Sequence, residues 1–439
     1  AIAVAMSENP TVKVADLEIT KKEYATKTAY GALLPQIDAI GQYQRTLKRQ
    51  TMYLDGGFGF GPENVDISEY TPEELQILKV LGDLMGGETD TSEGIQMGRL
   101  NSWTAGVNVN LPLVVPSLWR NIQISKVDTD LAMEQARSSK IELANQVKKA
   151  YFSLLLAHDS YTVFRETYTT DSVNLEDIKR KFNQGLVAEY DVITADVRLQ
   201  SIIPNMLQAE NMQKIAELQL KMLMGIDGDV PFRILGSLSD YEETMFEEVL
   251  MAQTSLMQNT ELKQFDLQQS MAEQAVEIQK LQYLPTLTSS FSYMYMSQNN
   301  DFKFRDYKWD PYSFVNITLA IPIYNGGQRR YNVRQSEIQL EQMKYQRVNL
   351  ERSLDIAVRN HIDLINKNIE QIVATQSSVE QAKRGYMISQ KRYETGLGTI
   401  VEVNAAALAV TSAELQYRNA IYDYLAAKAD LEKTMGHVY

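Results

Sequence analysis

The chain is written twice. Phe182-Asn183-Gln184-Gly185-Leu186 returns 211 residues later as Tyr393-Glu394-Thr395-Gly396-Leu397, and Leu223-Met224-Gly225 returns at the same spacing as Thr434-Met435-Gly436. Leu111-Pro112 returns as Ile321-Pro322, Leu34-Pro35 as Leu284-Pro285, and Asn9-Pro10 as Asn259-Thr260. A repeat of this length constrains the fold more than composition does, because each copy must be the same supersecondary unit. The spacing falls from 250 at the upstream pairs to 210 at Pro112 and Pro322, so the first copy holds an extra stretch between Pro35 and Pro112. Each copy reads as helix, Leu-Pro, strand pair, Pro, long helix, Gly turn, helix. The first runs over 1–231, with a helix over 1–34, a strand pair over 35–112 around a long outer loop at 50–99, a long helix over 113–184 and a returning helix over 191–225. The second runs over 232–439, with a helix over 245–284, a strand pair over 285–322, a long helix over 323–395 and a returning helix over 402–436.

The long helices carry apolar residues in alternating steps of four and three. Leu143, Val147, Ala150, Leu154 and Ala157 begin the stripe that runs to Leu175, Ile178 and Phe182, with Asp171 as its one polar member. Val192, Ala195, Leu199 and Ile202 resume it beyond the turn, and Leu354, Val358, Ile365, Val403, Ala406 and Val410 repeat it in the second copy. A period of 3.5 held over many turns predicts left-handed coiled-coil packing. Each returning helix is about half the length of its long partner. The first helix of each copy supplies nearly the missing length, so two short helices stacked end to end would match one long one.

The strands alternate instead. Trp103, Ala105, Val107, Val109 and Leu111 oppose Thr104, Gly106, Asn108 and Asn110, and Val315, Ile317, Leu319 and Ile321 oppose Asn316, Thr318 and Ala320. Phe291, Tyr293 and Tyr295 supply aromatic positions on a partner strand. Apolar-out, small-polar-in segments of about ten residues fit transmembrane barrel strands, and a half-buried soluble sheet has the same period. Four strands cannot close a barrel in one chain, whereas three chains would bring about 12.

Composition narrows the function. The net charge of −13 argues against nucleic acid, and the absence of cysteine excludes disulfides, thiolate metal sites and cysteine nucleophiles. No apolar run is long enough for a transmembrane helix. Ala1 already lies inside a helical pattern, which reads as a processed or trimmed chain. No nucleophile elbow or His-Glu-x-x-His is present, and His361 sits on the coiled-coil stripe as a packing residue. Met222, Met224, Met294 and Met296 could offer thioethers to soft cations, but gap filling is the better account. Neither a metal nor a cofactor is expected. In the extra stretch, Asp55-Gly56-Gly57-Phe58-Gly59-Phe60-Gly61-Pro62 lacks the context of a phosphate loop, and Thr71-Pro72-Glu73-Glu74 predicts a capped short helix to about Met85.

The residues at the joints resemble the TolC family of outer-membrane efflux proteins. They are the Asn9-Pro10 opening, Leu34-Pro35-Gln36 and Leu284-Pro285-Thr286 before outward strands, and Leu111-Pro112 and Ile321-Pro322 after return strands. Ile323-Tyr324-Asn325-Gly326-Gly327 and the two Gly turns belong to the same pattern. The resemblance implies an α+β membrane protein, a TolC-like homotrimer whose outer-membrane β-barrel takes four strands from each chain. That barrel would continue into a periplasmic α-helical coiled-coil barrel. It implies a passive duct and not an enzyme, in the outer membrane of a Gram-negative bacterium, in contact with outer-membrane lipid. The duct would serve a periplasmic adaptor (membrane fusion protein) and an inner-membrane pump of the resistance-nodulation-division type, exporting drugs or other small molecules. A type I protein-secretion duct and a metal-efflux duct share the fold, and a soluble coiled-coil scaffold is the alternative from another class.

The resemblance also implies a gate at the helix-hairpin tips. Asp191 matches the first-tip Asp, Tyr393 its second-tip partner, and Glu402 a constriction carboxylate, while the second constriction carboxylate is replaced by Ala405. Helix capping is the structural alternative for Asp191 and Glu402. The tips themselves, Gly185, Leu186 and Val187 with Gly396, Leu397 and Gly398, are small or apolar and suit adaptor docking. Trp103, Trp119, Tyr293 and Tyr295 suit the membrane interfaces.

Overall fold

The computed structural model describes residues 1–52, 70–85, 95–242 and 255–437. The chain divides into a helical unit (Ala1–Ala29, Trp119–Tyr283 and Tyr324–Tyr439) and a strand-rich unit (Tyr30–Leu118 and Leu284–Ile323).

The helices are α1 (Ile2–Glu8), α2 (Pro10–Gly31), α4 (Pro116–Asn183), α5 (Glu189–Met224), α6 (Thr260–Leu281), α7 (Gln328–Glu394) and α8 (Ile400–Met435). α4 has 68 residues, about 100 Å of helix at 1.5 Å per residue. The 3.5-residue stripe is the packed seam. Leu143, Val147 and Leu154 of α4 are buried against Ala216, Leu220 and Met224 of α5, together with Ala5 and Val12. Val358, Ile365 and Ile372 of α7 are buried against Tyr417, Ala420, Tyr424 and Leu431 of α8.

The short helices abut end to end. Asn9 accepts the Thr11 N–H on Oδ1 and donates from Nδ2 to the Leu223 carbonyl, each at 2.7 Å. Asn259 accepts the Leu262 N–H at 2.9 Å and donates to the Thr434 carbonyl at 2.7 Å. Each Asn therefore caps the start of one helix and satisfies an orphan carbonyl at the end of another. Gly225 and Gly436 close α5 and α8 at φ 71° and 75°. A Cβ on Gly225 would lie 2.8 Å from the Glu8 carbonyl carbon, and one on Gly436 would lie 2.6 Å from that of Gln258.

Two expected helices are corrected. The helix expected over 1–34 breaks at Asn9, which is extended (φ −64°, ψ 127°), because the residue before a proline is driven out of the α region. The helix expected over 245–284 begins at Thr260, where Asn259 caps it, and residues 256–258 form a 3₁₀ turn. The remainder of its expected start, up to residue 254, lies outside the described residues.

The strand-rich unit contains one four-stranded antiparallel sheet in the order β1 (Gln36–Arg45), β4 (Asn101–Val114), β5 (Thr286–Asn299), β6 (Asp310–Ala320). β2 (Gln50–Met52) and β3 (Ile95–Met97) pair separately, and α3 spans Pro72–Met85. Glu74 closes its expected cap, accepting the Thr71 N–H at 2.9 Å and hydroxyl at 2.7 Å. The Asp55–Pro62 run lies outside the described residues. Register puts Ile37 opposite Val109, Val109 opposite Phe291, and Phe291 opposite Val315. One face is thus apolar across all four strands. The other carries Asp38, Asn108, Ser292 and, at the next level, Asn316, as the alternation requires. β1 and β6, the two edges, are exposed along their whole length.

Candidate functional site

The two hairpin tips are built alike. At the first, the Gly185 N–H donates to the Phe182 carbonyl at 2.8 Å and the Leu186 N–H to that of Lys181 at 2.9 Å. At the second, Gly396 donates to Tyr393 at 3.0 Å and Leu397 to Arg392 at 2.8 Å. This double closure requires a left-handed residue, which Gly185 (φ 79°) and Gly396 (φ 75°) supply. No described heavy atom outside the immediate chain lies within 4 Å of a Cβ built at either position, so backbone conformation and not close packing demands glycine. Leu186 and Leu397 are 69% and 74% exposed, whereas Val187 packs partly buried against the tip cluster.

Beyond the turns the tips differ. Asp191 lies in the first turn of α5, where the helix dipole favours a carboxylate, and makes no ion pair among the described residues. Its counterpart Glu402 lies in the first turn of α8 and has a partner: Arg392 Nη1 stands 3.4 Å from Glu402 Oε2 and its Nη2 donates to the Leu397 carbonyl at 3.1 Å. Arg392 thus clasps the second tip. A Cβ on Gly398 would come within 3.1 Å of both Arg392 Cβ and Glu402 Oε2, so a side chain there would press on this clasp. In the first tip Lys181 holds the place of Arg392 but pairs with Asp177 at 2.8 Å.

Tyr393 sits where the two hairpins meet, against a cluster of Leu175, Ile178, Ala195, Leu199, Ile400 and Val403. Its hydroxyl is buried without a hydrogen-bond partner among the described residues, so the structure does not join it to Asp191 by a bond. Burial first, then the charges of Asp191 and Asp177, push its phenol above the ordinary range. Two residues not foreseen as functional lie beside it. Arg198 Nε meets Asp171 Oδ2 at 3.0 Å, with the side chains only 10% and 7% exposed, and Arg198 Nη2 is buried without a partner among the described residues. Asp171 was legible as the one polar member of an apolar stripe, a position that demands a buried partner. Asn174 also ties the hairpins, donating to the Tyr386 hydroxyl at 3.2 Å.

The interface aromatics divide. Trp103, Tyr293 and Tyr295 share the apolar face of the sheet, and the two tyrosine hydroxyls lie 3.1 Å apart. Trp119 is an exposed residue of the first turns of α4. Among the described residues no group of three or more His, Asp and Glu is placed to hold a metal.

A four-stranded sheet with an apolar face and two open edges, in a chain of paired coiled-coil hairpins, fits a channel subunit of the outer membrane. The family profile described as Outer membrane efflux protein matches residues 1–226 and 251–437, and the chain belongs to that family. It is 24% identical over 340 residues to the outer membrane protein TolC of Vibrio cholerae, covering 76% of each chain. It is 24% identical over 347 residues to the alkaline protease secretion protein AprF of Pseudomonas aeruginosa, covering 75% of this chain and 69% of that one. Its fold matches the outer membrane channel CmeC of Campylobacter jejuni with a TM-score of 0.71 at 17% identity, over 99% of this chain and 84% of that chain. The protein is therefore a passive outer-membrane efflux channel with a TolC-like fold and a periplasmic helical part, and not an enzyme. Proteins of this family form trimers and work with an adaptor and an inner-membrane pump.

Proposed function

We propose that the chain is the exit duct of a tripartite efflux pump, conducting drugs or other small molecules from periplasm to exterior, with a resistance-nodulation-division pump as its energy source. The observation that carries this reading is that the family profile spans both repeats, so each element a duct needs is present twice. In the trimer, β6 of one chain pairs with β1 of the next, which closes a barrel of about 12 strands against outer-membrane lipid. Asp191, Tyr393 and Glu402 form the entrance gate. The unbonded Tyr393 hydroxyl at the junction of the hairpins supports a contact that is made and broken as they move. Gly185, Leu186 and Val187 with Gly396, Leu397 and Gly398 dock the adaptor.

The test is complementation. In cells lacking their own outer-membrane efflux channels but supplied with the cognate adaptor and pump, the chain restores drug resistance. In a planar bilayer, Asp191→Ala with Tyr393→Phe raises single-channel conductance, and an unchanged conductance would leave these residues as ordinary packing and capping groups. Protein secretion is the second reading, favoured by the likeness to a protein named for alkaline protease secretion. Export of a protease without restored drug resistance selects it.

A further inference from the structure

Two segments at the hairpin-loop end of the four-stranded sheet are basic in an acidic chain. Residues 45–49 and 300–310 hold Arg45, Lys48, Arg49, Lys303, Arg305 and Lys308 against three carboxylates, in a protein of net charge −13. None of these six cations forms an ion pair among the described residues, and all but the half-buried Arg49 are exposed. The two segments form one surface. Arg49 Nη2 donates to Asn300 Oδ1 at 3.0 Å, the same oxygen accepts the Leu100 N–H at 3.1 Å, and the Thr46 N–H donates to the Leu100 carbonyl at 2.8 Å.

Beside Arg45 lies an aromatic layer on the apolar face of the sheet. Tyr43 and Trp103 have ring centroids 4.2 Å apart, Trp103 and Phe304 5.0 Å, and Phe304 and Tyr307 5.0 Å. The Arg45 guanidinium stands 5.5 Å from the Phe302 ring centroid. Phe302 and Phe304 are half exposed, at 51% and 52%. Below this layer the same face continues as Val107, Val109, Phe291, Val315 and Ile317. Apolar band, aromatic belt and unpaired cations succeed one another as acyl chain, interface and phosphate do in a lipid leaflet.

We propose that this collar binds the phosphorylated headgroups of lipid in the outer leaflet. Arg45 and Arg49 offer paired N–H donors to phosphate oxygens, Lys48, Lys303 and Arg305 supply further charge, and Phe302 and Phe304 seat at the acyl boundary. The inference rests on the outer-membrane reading and names the lipid chemistry at one site. A free anion has no use for the aromatic layer, whereas a lipid uses both parts of the surface. Residues 53–94 carry ten carboxylates and a single lysine, charge that would compete with lipid phosphate for these cations.

The test uses the purified trimer in neutral detergent, with a bisphosphorylated glycolipid, its dephosphorylated counterpart and inorganic phosphate as probes, and bound lipid read by native mass spectrometry. Lys48→Gln, Lys303→Gln and Arg305→Gln are combined, since none of these side chains makes a hydrogen bond or ion pair among the described residues. At low salt the triple variant loses affinity for the bisphosphorylated lipid by on the order of 100-fold, from about one favourable charge interaction per cation. Dephosphorylation costs the wild type a comparable factor, and rising salt erodes the difference. Equal binding of the dephosphorylated lipid, or unchanged binding by the triple variant, overturns the proposal. So does competition by inorganic phosphate at matching affinity, or lipid binding that emerges only after the carboxylates of 53–94 are replaced by amides. Conductance of wild type and variant is recorded in parallel. Absence of channels in the wild type counts against the duct reading, whereas normal channels with no lipid preference count against the collar alone.

Discussion

Replacing Arg198 by Met should unlock the hairpin tips selectively. Asp171 and Arg198 are 7% and 10% exposed and meet at 3.0 Å, so the substitution leaves a carboxylate buried with no cation in contact. Removing one member of a buried pair costs about 3–5 kcal/mol, roughly 150- to 5,000-fold in an opening equilibrium. Replacing both, as Asp171→Leu with Arg198→Met, is neutral or stabilising by up to about 4 kcal/mol. Amide hydrogen exchange of the detergent-solubilised protein reads this as local opening, in α4 near Asp171 and α5 near Arg198, with distant amides of α4 as the control. Acid gives a second signature. Burial raises the Asp171 carboxyl above its ordinary range, and the charge and hydrogen bond of Arg198 only partly oppose it. A raised folded-state pKa means that protonation favours the fold: its contribution is fully present below the unfolded pKa and is lost as pH rises through the folded one. Without the guanidinium the carboxyl rises further, so the Arg198→Met penalty is full at alkaline pH, where the carboxyl is ionised in both proteins, and shrinks as acidification protonates it. A penalty equal at both pH values, or a double variant that opens as readily as the single one, would refute this account.

Other substitutions separate conformational from packing roles. Gly185→Ala should cost about 1 kcal/mol of thermal stability, since only a left-handed backbone is at stake, whereas Gly436→Ala should cost several times more because its Cβ runs into the Gln258 backbone. Gly185→Asn should keep the trimer and its export, while β-branched Gly185→Val at the same exposed tip should abolish efflux in cells, and normal export by both would remove the tip from the docking surface. Arg392→Gln should free Glu402 from its 3.4 Å ion pair and strengthen block by multivalent cations in single-channel recordings, and Glu402→Gln should weaken it. Acidification should loosen the α4–α8 seam. Burial alone would raise the carboxyls of Glu142 and Asp430, but bonds from Lys433 and Gln146, and from Asn145 and Lys149, hold them low. Their stabilisation is present above the unfolded pKa and disappears as pH falls through the folded one, which hydrogen exchange in 142–149 and 430–433 would follow.

The elements were legible in the sequence because their punctuation is local. Glycine at a left-handed turn, proline before a helix and period-2 or period-3.5 alternation are properties of neighbouring residues. Contacts between distant segments were not. Asn9 reads as a helix opening beside Pro10, but its second bond, to the Leu223 carbonyl, joins residues more than two hundred apart. Arg198 is one surface-type residue among many until Asp171, on another helix, is placed against it. The tip positions Gly185 and Gly396 were readable for the same local reason as the turns. The Arg392 clasp was not, because it depends on which of several nearby carboxylates a flexible side chain selects, and the equivalent Lys181 chooses differently.

The open strands β1 and β6 have a consequence for how the protein is made. Each presents an unpaired row of backbone donors and acceptors, and they lie at opposite margins of one sheet. Head-to-tail pairing satisfies one margin at every junction, yet any string of subunits still ends in two bare ones until the ring shuts. In hydrocarbon each bare group costs several kcal/mol, so an unfinished ring has nowhere stable to go within the bilayer. Ring closure must therefore precede insertion or accompany it. The rate of appearance in the membrane should therefore depend on subunit concentration.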